Sequence, residues 1–251
     1  MNRAITFLMS LLLACIVLGA KAEIIQVPSE YGDTPTGYWG HPNAKAVVIS
    51  LPGGDGSRGI AAQNPPRPGW LGAGLYDDGL DSVLMDSNVS LGWSSISPRY
   101  TKEHLARIKS VIEFYQNKLH KPIFLMGHSN STISVAEFLN QSPENQKMLA
   151  GAIISSGRNE TDISPPLNLP ILFMHHEEDP NGRWTAYSHS QSLYEEVKKF
   201  NLAPTEFATV HGGESGEAST AGHHMYQGSL EEATKYVYEF VLRQLNRSTV
   251  K

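Results

Sequence analysis

The chain is nearly without cysteine: its 251 residues hold one, Cys15, inside the first apolar stretch. A lone thiol excludes an intramolecular disulfide, and with no second cysteine the thiolate zinc sites of fingers and ribbons are excluded too. Internal repeats, blocks of like charge, low-complexity runs and linker-like composition shifts are also missing, so nothing divides the chain into arrays or tails. Positive charge is not in excess. The formal net charge is −5, and a mildly acidic surface argues against nucleic acid as a partner. Ten histidines are present, with His175, His176, Asp179, His211, His223 and His224 the obvious group. None has the His-Glu-x-x-His spacing that puts two imidazoles on one helix face, so neither a metal nor a cofactor is expected.

The apolar stretch from Ala4 to Leu18 follows Arg3 and runs into Ala20-Lys21-Ala22. It falls below the roughly 18 residues of a spanning helix and ends at small residues suited to cleavage, so residues 1–22 read as a signal peptide. Cleavage after Ala22 would start the mature chain at Glu23. Residues 23–251 would then form one domain around one core, periplasmic or secreted, with no stable membrane insertion. The alternative is that Leu12-Leu13-Ala14-Cys15 is a lipoprotein signal, with Cys15 lipidated and retained.

Along the rest of the chain, apolar runs of strand length alternate with helical periodicity, which predicts a mostly parallel central sheet with helices on both faces. Ile24 to Val27 and the Gly37-Tyr38-Trp39 region are expected as early edge strands. Strands are also expected over Ala44 to Leu51, Ser82 to Met85, 122 to 126, Ala152 to Ile154, 171 to 174 and Glu206 to Val210. A helix over Thr101 to Leu119 carries Leu105, Ile108, Ile112, Tyr115 and Leu119 on one stripe, leaving His104 and His120 in solvent. Another lies near Tyr187 to Phe200. The last opens with Ser229-Leu230-Glu231-Glu232, a capping box, and turns Leu230, Ala233, Val237, Phe240 and Val241 inward.

The chemistry concentrates at Gly127-His128-Ser129-Asn130-Ser131, an apolar strand running into a sharp turn and a helix. Such an elbow lifts the Ser129 hydroxyl above the carboxyl edge of the sheet and aims the Asn130 N–H at the same point, giving an attacking group and an oxyanion donor together. Ser131 stands where a second glycine belongs in Gly-x-Ser-x-Gly; as one of the smallest replacements it preserves the geometry. A carboxylate after a later strand and a histidine later still are expected in that order. Asp179 follows Leu169 to Met174 and precedes a turn at Pro180-Asn181-Gly182, and Gly222-His223-His224-Met225-Tyr226 follows Glu206 to Val210. On extended backbone only one of His223 and His224 can face Ser129.

These motifs resemble the α/β-hydrolases over nearly all of the presumed mature chain, and within them dienelactone-hydrolase-like proteins and small bacterial serine esterases. The resemblance implies the α/β-hydrolase fold and cleavage of a small-molecule carboxylic ester by Ser129, Asp179 and a histidine. The family's His-x-Phe/Tyr pattern maps onto His224 and Tyr226, which makes His224 the expected catalytic histidine; its Gly-His pattern would map onto His223 instead. The glycine loop Gly53-Gly54-Asp55-Gly56 lies where the family supplies the second oxyanion N–H, assigned to Gly54 with Asp55 close behind; the alternative is a plain tight turn. Pro65 to Trp70 is either a wall of the substrate pocket or a surface loop. Peptidase or amidase chemistry on the same residues, and a non-catalytic binding protein that keeps the fold, are the other functions compatible with the sequence.

Overall fold

A computed structural model describes residues 22–57, 74–77, 79–87, 91–92, 96–213 and 222–248. The expected signal segment 1–21 and the Pro65 to Trp70 loop lie outside the described residues. Among the described residues eight strands form one sheet: β1 (Glu23–Val27), β2 (Thr34–Trp39), β3 (Val47–Leu51), β4 (Asp81–Met85), β5 (Ile123–His128), β6 (Gly151–Ser155), β7 (Ile171–His176) and β8 (Thr205–Val210). Their order is β1-β2-β4-β3-β5-β6-β7-β8. Only the β1/β2 and β2/β4 pairs are antiparallel; the five pairings from β4 through β8 are parallel. The helical segments are a short turn α1 (Leu75–Asp77), α2 (Lys102–Leu119), α3 (Ser131–Gln141), α4 (Pro143–Lys147), α5 (Tyr187–Phe200) and α6 (Leu230–Ser248).

Both faces of the sheet are covered, which is why its strands read as continuous apolar runs rather than alternating ones. Successive side chains point to opposite faces: Val47, Ile49, Ile123, Leu125 and Phe173 pack with Leu105, Ile108, Val111 and Tyr115 of α2 and Leu193 and Val197 of α5. Val48, Phe124, Met126, Leu172 and Met174 pack instead with Ala233, Val237, Phe240 and Val241 of α6. At about 1.5–3 kcal/mol per buried large apolar side chain, these two layers are the main force holding the strand ends in place.

Four expectations change. The Gly37 to Trp39 region is not at an edge, because β2 lies between β1 and β4. His104 is 7% exposed rather than solvated, with Nε2 2.9 Å from Ser134 Oγ on α3. The helical period explains it: His104, Ile108, Val111 and Tyr115 stand at steps of four, three and four, on the stripe that α3 and the sheet cover. Burial, then the nearby Arg99 and Arg107, lower the His104 pKa to about 3. His120 is exposed and ends α2 in the left-handed region at φ 52°. At α6 the capping box does not form, since Ser229 Oγ has no partner and Glu232 instead accepts from the His211 N–H and Tyr236 hydroxyl. Leu230, in the first turn before the helix meets the sheet, is 38% exposed.

Candidate active site

The carboxyl ends of β5, β6 and β7 bring the chemistry-bearing residues to one edge. Ser129 follows β5 directly and adopts φ 56°, a left-handed conformation that costs a non-glycine residue about 1 kcal/mol or more. Its N–H donates to Ser155 O at the end of β6 (2.9 Å), and its carbonyl accepts from the Thr132 N–H (3.0 Å), which starts α3. The first glycine of the elbow is required by close approach: a Cβ on Gly127 would lie 2.5 Å from Ser131 O. Gly53 backs onto the same turn, where a Cβ would meet Ser129 Cβ at 2.8 Å and His128 O at 2.9 Å. The glycine loop after β3 is thus in contact with the Ser129 elbow.

Asp179 and His224 meet. His224 Nδ1–H donates to Asp179 Oδ2 over 2.7 Å, and Asp179 Oδ1 accepts the Asn181 N–H at 2.9 Å. The His224 ring lies 5.0 Å from that of His128, the residue before Ser129. His223 turns elsewhere: its ring stacks on His176 at 4.1 Å, and its Nδ1 is 3.2 Å from Glu178 O. The two do diverge, but on a 3₁₀ turn over Gly222–Met225 rather than on extended backbone. Tyr226, two positions after His224, explains the aromatic of the His-x-Tyr pattern. Its buried hydroxyl reaches Ser155 Oγ (2.9 Å), Ser156 Oγ (3.1 Å) and Met174 O (3.2 Å), pinning the histidine turn to the ends of β6 and β7.

His175, which composition marks only as a metal candidate, has a different role. β7 runs two residues beyond the expected end, and its fully buried His175 donates Nε2–H to Asp179 Oδ2 (3.0 Å) while Nδ1 accepts from Ser190 Oγ (2.7 Å). Thr185 Oγ1 adds a donor at 3.1 Å. Burial alone would raise the Asp179 pKa, but the hydrogen bonds from His175 and His224, with the positive charge His224 can carry, hold it well below the ordinary carboxylate range. The signal available in the sequence was the four-residue spacing from His175 to Asp179, which fits one strand end and its tight turn.

Gly54 adopts φ 60°, and its N–H has no acceptor among the described residues. Its carbonyl accepts from Asn130 Nδ2 (2.8 Å) and Arg99 Nη2 (2.6 Å). The Asn130 Oδ1 in turn accepts from Arg158 Nη1 (2.7 Å), a guanidinium paired with Glu160 at 2.7 Å and lying over the Trp184 ring at 4.5 Å. Asn130 therefore joins the glycine loop to the loop after β6 through its side chain. Among the described residues no cluster of three or more His, Cys, Asp or Glu side chains is arranged to hold a metal ion, and no helix is long and apolar enough to cross a membrane.

No family model matches the chain, and no curated protein matches it. Solved structures do. A dienelactone hydrolase from Anabaena variabilis superposes with TM-score 0.61 at 12% identity, over 90% of this chain and 98% of that one. An esterase from Pyrococcus furiosus gives 0.63 at 14%, over 89% and 93%. Oligopeptidase B from Leishmania major gives 0.59 at 15%, over 90% of this chain but 37% of its own. The chain has the α/β-hydrolase fold.

Proposed function

We propose that the protein is a serine hydrolase that cleaves carboxylic esters through an acyl-enzyme on Ser129. One observation carries this reading: a serine in left-handed conformation at a strand-to-helix elbow shares a sheet edge with an imidazole whose Nδ1 is committed to a buried carboxylate. With Nδ1 on Asp179, His224 keeps Nε2 for the serine proton. Ser129 Oγ attacks the ester carbonyl as His224 removes its proton, and the N–H groups of Asn130 and Gly54 hold the oxyanion. Asp179, held ionised, favours the imidazolium formed at that moment. His224 then protonates the departing alkoxide, and a water molecule repeats the sequence to free the acid. No step calls for a cofactor.

A peptidase or amidase using the same residues is the second reading, favoured by the similarity to oligopeptidase B, of which the chain spans about a third. Matched p-nitrophenyl esters and p-nitroanilides separate the two. Turnover of the esters with little on the anilides is expected; comparable anilide turnover would shift the assignment to an amidase, and inertness towards both would favour a binding protein. Esters of rising acyl length then define the substrate. Export completes the proposal: residues 1–22 direct the chain to the periplasm or beyond and are removed, against the alternative of anchorage at Cys15.

A further inference from the structure

Arg99 is 1% exposed, yet among the described residues no carboxylate pairs with its guanidinium and its Nε has no hydrogen-bond partner. Isolating such a cation from water is costly unless something fixed receives its donors. Burial lowers its pKa to about 10, with Asp55 pulling upward and Arg158 downward, so it stays charged at neutral pH. Its two terminal nitrogens are aimed at the nucleophile elbow and the glycine loop. Nη1 donates to Ser131 Oγ and Nη2 to Gly54 O, each at 2.6 Å. The Ser131 hydroxyl in turn donates a hydrogen bond to Pro52 O. Ser131 is the residue that departs from Gly-x-Ser-x-Gly, and its hydroxyl is what a glycine would lack.

The consequence falls on Gly54. The carbonyl before it, Gly53 O, accepts the Gly56 N–H at 3.0 Å, which orients the peptide that carries the Gly54 N–H. The carbonyl after it is held by Arg99 and by Asn130 Nδ2. Both peptide planes around Gly54 are fixed, in a turn whose left-handed φ leaves glycine free to move otherwise. A donor must be set in advance to be worth its full effect on a developing oxyanion.

We propose that Arg99, acting through Gly54 O and the Ser131 hydroxyl, is a positioning residue that clamps the Pro52–Gly54 turn to the elbow and so sets the second oxyanion donor. The inference rests on the serine-hydrolase reading. A clamp of this kind affects the transition state more than the bound ester, so kcat changes and KM does not.

The test measures kcat and KM on p-nitrophenyl butyrate, the inhibition constant of phenylboronic acid, whose adduct on serine is tetrahedral, and the far-ultraviolet dichroism of Arg99→Met and Ser131→Ala. Expected are losses in kcat of about 10²-fold and about tenfold respectively, with KM within about threefold of the wild type and boronate binding weakened by a factor like that on kcat. Wild-type kcat in a folded Arg99→Met, or kcat loss with boronate affinity unmoved, overturns the proposal. Where Arg99→Met does not fold, Ser131→Ala decides alone on the same criteria. If the wild type neither turns over esters nor takes a fluorophosphonate on Ser129, the serine-hydrolase reading fails and the clamp with it; an active, labelled wild type with unaffected variants removes the clamp alone.

Discussion

Replacing His104 by glutamine should flatten the acid side of the stability profile. His104 is enclosed between α2 and α3, and its protonation is opposed first by burial and then by Arg99 and Arg107, so its folded-state pKa is about 3 against 6.5 in the open chain. The folded value is the lower one. Above pH 6.5 neither state carries the proton, and the group contributes nothing. Between about 6.5 and 3 the unfolded chain binds a proton that the native state refuses, so stability falls as pH falls. The slope approaches about 1.4 kcal/mol per pH unit, so the loss between pH 6.5 and 4.5 is on the order of 2–3 kcal/mol. Glutamine keeps a donor for Ser134 Oγ and cannot titrate. Urea unfolding followed by tryptophan fluorescence at pH 7.5, 6.5, 5.5 and 4.5 gives both curves, and their difference cancels every other histidine. The variant should gain on the wild type by the stated slope below pH 6.5; parallel curves down to pH 4.5 would refute the argument that His104 is buried neutral.

His224→Ala should reduce ester turnover nearly as far as loss of the serine, on the order of 10⁴-fold, whereas His223→Ala, which removes a ring stacked on His176, should cost much less; steady-state kinetics on one activated ester compares them, and the reverse ranking would move the base to His223. Gly53→Ala should lower kcat by about 10²-fold or more, because its Cβ would stand 2.9 Å from the fixed carbonyl of His128; wild-type kcat in this variant would mean that the glycine loop does not meet the elbow. Intact-mass analysis of the exported protein should give a chain starting at Glu23, and a lipid-modified chain starting at Cys15 would contradict the signal-peptide reading.

The alternation of buried strands and helices was legible because a sheet covered on both faces leaves long apolar runs, and α5 spans Tyr187 to Phe200, where the alternation calls for a helix. Chain order put Asp179 and the pair His223 and His224 forward, the resemblance's His-x-Tyr pattern singled out His224, and Asp179 and His224 are hydrogen-bonded. What sequence could not supply was lateral contact. Nothing near Ser97-Pro98-Arg99 announces that a guanidinium will reach a loop forty-five positions earlier, since that meeting depends on how the strands β3 and β5 lie side by side. His175 was hidden for another reason: an apolar run ending in two histidines does not say where pairing stops, and two more residues of β7 convert a loop histidine into a buried ligand of Asp179. The capping box at Ser229 failed because Glu232 is claimed by the backbone N–H of His211, after β8, and by the Tyr236 hydroxyl one turn further along α6.

The central claim is that Ser129 is an activated nucleophile. Incubating the purified protein with a fluorophosphonate and mapping the adduct by peptide mass spectrometry tests it directly: a single modified residue, Ser129, is predicted, with labelling abolished in Ser129→Ala and strongly slowed in His224→Ala. An unmodified wild-type protein, or labelling that persists undiminished in Ser129→Ala, would contradict it.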